Sequence, residues 1–147
     1  MNEYNIQFLK EYIRLDNLCK DIYNIERNGV SAYLEDMDNN HSFAYIISGW
    51  EDDYDQLKTY RHLRNHMTHD PDALDEEECT AEDVQWIEKF QTRILQSNDP
   101  LARLRKHQEQ IAQRKKQENE QAMQSEEPRS LLQFISDAIA HFINAFR

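Results

Sequence analysis

Glycine and proline are scarce in this sequence, and their scarcity limits the folds available to it. The 147 residues include 2 glycines and 3 prolines. A β-sandwich or β-barrel with many tight turns would need more of both residue types. The second half of the chain is instead rich in Glu, Gln, Lys, Leu and Ala, which are good helix formers. The composition therefore predicts an all-α fold.

Cysteine and long apolar segments are scarce as well. Cys19 and Cys79 form neither a CxxC pair nor a disulfide framework, which indicates a reducing environment inside the cell. No apolar run approaches the length that a transmembrane helix needs. The N-terminal residues are too polar to resemble a signal peptide. We therefore expect a cytoplasmic protein that does not associate with a membrane.

Positive charge is in deficit, because 28 acidic side chains outnumber 17 lysines and arginines and leave a formal net charge of −11. Such a charge repels polyanions at long range, so contact with nucleic acid requires a local basic region. One such region combines Lys58, Arg61 and Arg64 with three nearby histidines. A second lies between residues 103 and 116. A solvated helix face explains this second region better than contact with RNA does.

Apolar periodicity and helix-ending residues divide the chain into helices. The predicted helices cover residues 5–24, 30–37, 51–67 and 81–96, followed by one that begins at Pro100. Residues 41–50 are expected to be irregular or to form a short helical turn. Thr80, with Asp83 three residues later, is a predicted N-cap. The expected apolar face of the first helix comprises Ile6, Leu9, Ile13, Cys19 and Ile22, with Leu15 and Leu18 beside them.

These helices predict three segments. Residues 1–105 are expected to form a four- to five-helix bundle, and residues 106–127 a polar, exposed helix or linker. Residues 128–147 are expected to form an amphipathic helix that begins at Pro128. Its apolar stripe comprises Leu131, Leu132, Ile135, Ile139, Phe142, Ile143 and Phe146. The stripe is too broad to remain in water and carries few cations, so we expect self-association, or docking on the bundle or on a protein partner, and not membrane binding.

Arg64 occupies an unusual position on the third predicted helix. At about 100° per residue, it falls on the same arc as the apolar residues Leu57, Tyr60, Leu63 and Met67. A cation on such an arc is costly unless a carboxylate or a ligand meets it. An ion pair with an acid on the first helix and a bound ligand are the two interpretations.

The histidines of this helix allow a second interpretation. His62, His66 and His69 are four and three residues apart, a spacing at which two imidazoles can reach one metal ion. No cysteine or acid is clearly placed as a further ligand on that face. We therefore assign no metal ligand, and a zinc site stays as an alternative that metal analysis decides.

Arg64, Asn65 and His69 allow a third interpretation, which is catalytic. An imidazole can transfer protons near neutral pH, and a guanidinium matches the oxygens of a phosphate. These groups could cleave RNA through its own 2′-hydroxyl without a metal. Arg64 and His69 diverge on a straight helix. They converge only if His69 lies in an unwound helix end, or if two copies of the motif face each other across a dimer.

The run Arg64-Asn65-His66-Met67-Thr68-His69 resembles the R-x4-H form of the R-x4-6-H motif of the HEPN domain family. The residues before it, from Tyr60, and Asp70 after it also resemble the end of that family's motif helix, and the resemblance covers roughly residues 5–105. It implies a four- or five-helix bundle that, in many members, is a dimeric endoribonuclease without metal or other cofactor. Arg64 would then contact the scissile phosphate, His69 would transfer a proton, and Asn65 would orient the site.

Two functions follow from the resemblance. The first is an endoribonuclease that binds RNA with Lys58, Arg61, His62 and His66; many such proteins belong to toxin–antitoxin or phage-defence systems. The alternative is a non-catalytic HEPN-like module. It would bind a protein partner through the acidic loop at residues 70–83 and the C-terminal helix.

Overall fold

The structure of the chain, a computed structural model, describes residues 2–145 apart from the side chains of residues 126–131. The α-helices are α1 Glu3–Tyr23, α2 Gly29–Asn39, α3 Trp50–His69, α4 Ala81–Leu95 and α5 Pro100–Ala145. A short 3-10 helix, His41–Ile46, lies between α2 and α3. Since the described residues form no strand, the predicted all-α fold is confirmed. The chain divides into two compact units, Met1–Arg105 and Lys106–Arg147.

Local hydrogen bonds explain where two of these helices begin. The Asn2 side chain accepts hydrogen bonds from the amides of Tyr4 and Asn5 at the start of α1. At the start of α4, Thr80 and Asp83 form a reciprocal capping box, as predicted. Both signals lie within four residues of the helix start, which is why the sequence alone can place them.

The core of the first unit is formed by apolar side chains from all five α-helices. Aromatic rings hold its centre: Phe8 meets Tyr60 edge to face at 5.2 Å, and Tyr33 meets Phe90 in the same way at 5.8 Å. The buried apolar residues are Phe8, Tyr12, Leu15, Cys19, Val30, Tyr33, Leu34, Met37, Ile47, Trp50, Leu57, Tyr60, Met67, Ala73, Cys79, Val84, Ile87, Phe90, Leu101 and Leu104.

The buried face of α1 differs in part from the predicted one, since Leu15 and Cys19 are buried as expected but other residues are not. Ile13 is 56% exposed and Ile22 is 40% exposed, whereas Asn5 and Glu11 are buried. Glu11 is buried because its carboxylate and its carbonyl both accept hydrogen bonds from Gln91 of α4, at 2.9 and 3.1 Å. Satisfied polar groups can lie inside, so the inward arc of α1 follows its aromatic and hydrogen-bonded residues and not its isoleucines.

In the second unit, the predicted helix start at Pro128 is wrong, because α5 continues through that residue to Ala145. An internal proline costs about 3 kcal/mol. Its sequence neighbours are mostly strong helix formers, and these oppose that cost. Leu132, Phe134, Ile135, Ile139 and Ile143 are all at least 48% exposed. The Leu131 side chain and Phe146, which belong to the predicted stripe, lie outside the described residues.

Candidate functional site

A polar cleft of about 330 Å³ lies in the first unit where α1, the α1–α2 turn and α3 meet. Its lining residues are Tyr12, Asp16, Lys20, Glu26, Arg27, Asn28, Ser31, Arg61, Arg64 and Asn65. The cleft thus brings together two predicted catalytic residues, Arg64 and Asn65, with the predicted RNA ligand Arg61. It adds two cations, Lys20 and Arg27, that sequence reasoning did not connect with the motif.

The side chain of Arg64 is half-buried against α1. Its guanidinium carbon lies 5.6 Å from the centroid of the Tyr12 ring, in a cation–π contact. One guanidinium nitrogen donates to Oδ1 of Asn65 at 3.0 Å. Within the described residues Arg64 forms no ion pair, so the expected partner acid on the first helix is not found. An aromatic ring supports this cation in place of a carboxylate, and its other N–H groups can still bind a ligand.

Tyr12 stays neutral beneath the guanidinium. Burial, and then the nearby Asp16 carboxylate, raise the pKa of the Tyr12 hydroxyl well above its ordinary value of 10.0, and Arg64 opposes this shift. Because its hydroxyl carries no negative charge, the Tyr12 ring contacts Arg64 through its π face only. It therefore does not replace an anionic ligand of Arg64. This contact exists because Tyr12 faces the inside of the bundle, whereas the apolar periodicity predicted Ile13 on the inward face of α1.

Arg61, one turn before Arg64 on α3, is also half-buried. Its guanidinium donates to the Ser31 hydroxyl of α2 at 3.4 Å, and it too forms no ion pair within the described part of the chain. Next to the cleft lies a more open hollow of about 690 Å³. The hollow is lined by Ser31, Lys58, Thr59, Arg61, His62 and Asn65.

Ser31, Arg61 and Asn65 line both the cleft and the hollow, which are therefore neighbouring parts of one surface. We call this surface, with all the residues that line the cleft or the hollow, the basic groove. Three of the four predicted RNA ligands, Lys58, Arg61 and His62, line it. A protein with a net charge of −11 thus concentrates cations on one face of α3.

The other two histidines of α3 lie outside the basic groove. His66 Nε2 lies 3.6 Å from Oε1 of Glu78, in a depression of about 480 Å³ that adjoins the hollow and shares Thr59 and His62 with it. His69 is the last residue of α3 and is exposed. Since the helix includes His69, the unwound helix end considered for the motif does not occur. Five residues of helix set Arg64 and His69 about 140° apart around its axis.

The structure also bears on the zinc alternative. Across the described residues, no group of three or more His, Cys, Asp or Glu side chains is placed to hold a metal ion. His62 and His66 both line the depression that contains Glu78, whereas His69 is not among its lining residues. The three histidines therefore do not converge on one point within a single chain.

The acidic loop is held to α1 by one side chain that sequence reasoning missed. The Asn5 amide donates to the carbonyls of Leu74 and Glu76 at 3.3 and 2.7 Å, and its oxygen accepts from the Cys79 amide at 3.0 Å. The loop backbone is thus fixed beside the end of α3. Only the burial of a polar residue could have revealed this contact, and burial is not visible in the sequence.

Comparisons with known proteins identify the family of the chain but not its activity. No curated protein and no solved structure matches it. In the described part of the chain, no helix is long and apolar enough to cross a membrane. One family model, described as a family of unknown function (DUF6548), matches residues 6–141. Because that match covers both compact units, the chain belongs to the DUF6548 family.

Proposed function

We propose that this protein is a HEPN-type endoribonuclease that acts without a metal and as a homodimer. The observation that carries the proposal is the pair of half-buried arginines, Arg61 and Arg64, in the basic groove. Neither has a carboxylate partner within the described residues, although acidic side chains outnumber lysines and arginines by 28 to 17. An unpaired, partly desolvated guanidinium favours an anionic ligand, and Arg64 is the arginine of the R-x4-H motif.

The chemistry follows from the groups of the motif. An RNA strand lies in the basic groove with its scissile phosphate against Arg64, and Asn65 fixes the orientation of the guanidinium. The 2′-hydroxyl oxygen attacks the neighbouring phosphorus, and the bond from phosphorus to the 5′ oxygen breaks. His69 of the second copy accepts the hydroxyl proton, and the departing 5′ oxygen takes a proton from water. The products are a 2′,3′-cyclic phosphate and a 5′-hydroxyl end.

The second copy is needed because Arg64 and His69 diverge within one chain. The apolar stripe of α5 supports such a dimer. Leu132, Ile135, Ile139 and Phe142 follow one another at steps of three, four and three residues, and all are at least 48% exposed. Alternating steps of three and four residues are typical of the apolar positions through which two helices pack in a coiled coil. We therefore assign the stripe to self-association.

The test is cleavage of single-stranded RNA in excess EDTA by wild-type protein and by Arg64→Ala and His69→Ala. Loss of a positioned proton-transfer group costs about 10²–10⁴-fold in rate, which we expect for His69→Ala. Loss of a donor that stabilises charge in the transition state costs about 10²–10³-fold, which we expect for Arg64→Ala. Lys89→Ala removes a cation from the surface of α4, outside the basic groove, and should cleave like wild type. Cleavage that persists in both motif variants, or that EDTA abolishes, overturns the proposal.

A second candidate function is a non-catalytic interaction module. It is favoured by the acidic loop, whose backbone Asn5 holds in a defined conformation, so that Asp72, Glu76 and Glu77 are exposed on a fixed scaffold. Such a surface suits a basic protein segment. Absence of RNA cleavage by wild type, together with a complex that Arg64→Ala retains and a triple charge-neutralising loop variant loses, would favour this function.

A further inference from the structure

The closed part of the basic groove, the cleft between α1, the α1–α2 turn and α3, carries more positive charge than an internal RNA phosphate needs. Its lining includes four cations (Lys20, Arg27, Arg61 and Arg64) and two carboxylates (Asp16 and Glu26), so two positive charges are in excess. A phosphodiester carries one negative charge, whereas a terminal phosphate carries about −1.5 to −2 at neutral pH. We infer that the cleft binds the terminal phosphate of a nucleotide, either free or at the end of an RNA strand.

The cations can meet such a phosphate because the fold occupies one of the carboxylates. Oδ1 of Asp16 accepts the Val30 amide of α2 at 2.9 Å, and Oδ2 lies 3.8 Å from Nζ of Lys20. Asp16 therefore holds α2 and weakly pairs with Lys20, and among the described residues it forms no ion pair with an arginine. Arg61 and Arg64 line the cleft from α3, and Arg27 lines it from the α1–α2 turn. Forked donors from two different elements suit a group with three non-bridging oxygens.

The rest of the lining fits a nucleoside rather than a bare phosphate ion. A volume of about 330 Å³ falls at the lower end of the range for small-molecule sites, about 300–1,000 Å³. Ser31, Asn28 and the exposed Glu26 provide hydrogen-bond groups for ribose hydroxyls and for the edge of a base. The ring of Tyr12 is covered by Arg64 and offers no free face for base stacking. The site thus selects the phosphate strongly and the base weakly.

This inference goes beyond the proposed cleavage reaction, since it requires neither His69 nor a dimer. Lys20, Arg27 and Asn28 lie outside the R-x4-H motif, and nothing in the cleavage chemistry uses them. A chain that binds a terminal phosphate without cutting RNA would refute the proposed function alone. A chain that cuts RNA without distinguishing terminal phosphates would refute the inference alone.

The test uses full-length His69→Ala protein, so that RNA stays intact in the proposed mechanism. Calorimetric titrations compare adenosine 5′-monophosphate with adenosine, and a ten-nucleotide RNA carrying a 5′-phosphate with the same RNA carrying a 5′-hydroxyl. Adenosine 5′-monophosphate should bind at least about tenfold more tightly than adenosine, the effect of one charge-assisted hydrogen bond or more. Preference for the phosphorylated RNA identifies a strand end as the ligand, and its absence identifies the free nucleotide.

Two further variants locate the binding site. Arg27→Gln and Arg61→Gln should each weaken adenosine 5′-monophosphate binding about tenfold, whereas Lys89→Gln should leave it unchanged. Arg27 is exposed, so its variant should fold normally, and an unchanged melting temperature without ligand verifies this. The inference is overturned if neither the nucleotide nor the RNA pair shows a preference for the phosphate. It is equally overturned if binding is unaffected by both arginine variants.

Discussion

Asn5 shows how one residue can organise the surroundings of the candidate site. It is fully buried, and it joins α1 to the acidic loop that follows the motif helix. Its side chain accepts a hydrogen bond from the buried Cys79 amide and donates to the Leu74 and Glu76 carbonyls, which also accept from backbone amides. Without Asn5, the Cys79 amide would lack this partner. Asn5, in the first turn of α1, therefore fixes the position of the loop. The loop carries Glu78, which pairs with His66.

We predict that Asn5→Ala destabilises the protein by about 2 kcal/mol, since the buried Cys79 amide loses its partner and an unsatisfied buried polar group costs about 1–3 kcal/mol. Urea unfolding followed by circular dichroism measures the change. Gln7→Ala, which removes a hydrogen bond to Glu3 on the surface of the same helix, should change stability by no more than about 0.5 kcal/mol. A loss below about 1 kcal/mol for Asn5→Ala would contradict this role.

For Arg64, the sequence predicted the position on the helix but not the residue that it contacts. Helical periodicity placed it on the inward arc of α3, and the structure finds it half-buried there. Its contact with Tyr12 could not be predicted, because the side of α1 that faces inward is decided by hydrogen bonds to α4 and to the acidic loop. Those partners are about 70 to 80 positions away in sequence.

At the scale of the elements, helix positions were predictable because their signals are local. The capping box of Thr80 and Asp83 and the proline at the start of α5 lie within a turn of the helix that they begin. The helix start predicted at Pro128 was wrong for a related reason. Proline is common at helix starts, but the residues on both sides of Pro128 favour a continuing helix. What each helix faces was less predictable, because that depends on the other helices.

The contact between α1 and α2 rests on a glycine and forms one wall of the cleft. A Cβ atom on Gly29 would lie 2.1 Å from the carbonyl oxygen of Asp16 and 2.6 Å from the amide nitrogen of Lys20. Both atoms belong to the backbone of α1, so relief requires the helices to separate. The close approach places Asn28 and Ser31 beside Asp16 and Lys20 in the cleft.

We predict that Gly29→Ala destabilises the protein by about 3 kcal/mol or more, the upper part of the range for overpacking. Gly49→Ala is the matched comparison: a Cβ at Gly49 meets nothing within 4 Å, but its φ of +81° strains other residues. That strain costs about 1–2 kcal/mol. Thermal unfolding of the two variants should show the larger loss for Gly29→Ala, and the reverse order would contradict the close contact of α1 and α2.

At the scale of the whole molecule, the protein combines a net charge of −11 with one basic groove and one exposed apolar stripe. The net charge disfavours nonspecific attraction to nucleic acid. Binding would therefore depend on the groove itself. The composition showed the charge imbalance. Only the fold shows that Lys20 and Arg27 line the same cleft as the arginines of α3.

The stripe leads to a prediction about assembly. Ile139→Asp places a charge in the middle of the proposed helix seam, and burying a charge without a partner is strongly unfavourable. We expect light scattering to give the mass of a dimer for wild type and of a monomer for the variant, with RNA cleavage reduced in parallel. Asn144→Asp adds the same charge on another side of α5 and should stay dimeric. Identical masses for wild type and Ile139→Asp would remove the stripe as the dimer contact.

The proposed active site is shared between two copies of the chain, with Arg64 from one and His69 from the other. The most direct measurement mixes inactive Arg64→Ala and inactive His69→Ala proteins, allows their subunits to exchange, and assays RNA cleavage in EDTA. Random exchange makes half of the dimers mixed, each with one intact shared site, so the mixture should recover about a quarter of wild-type activity. No recovery, although exchange is verified by mass spectrometry, would contradict a site shared between subunits.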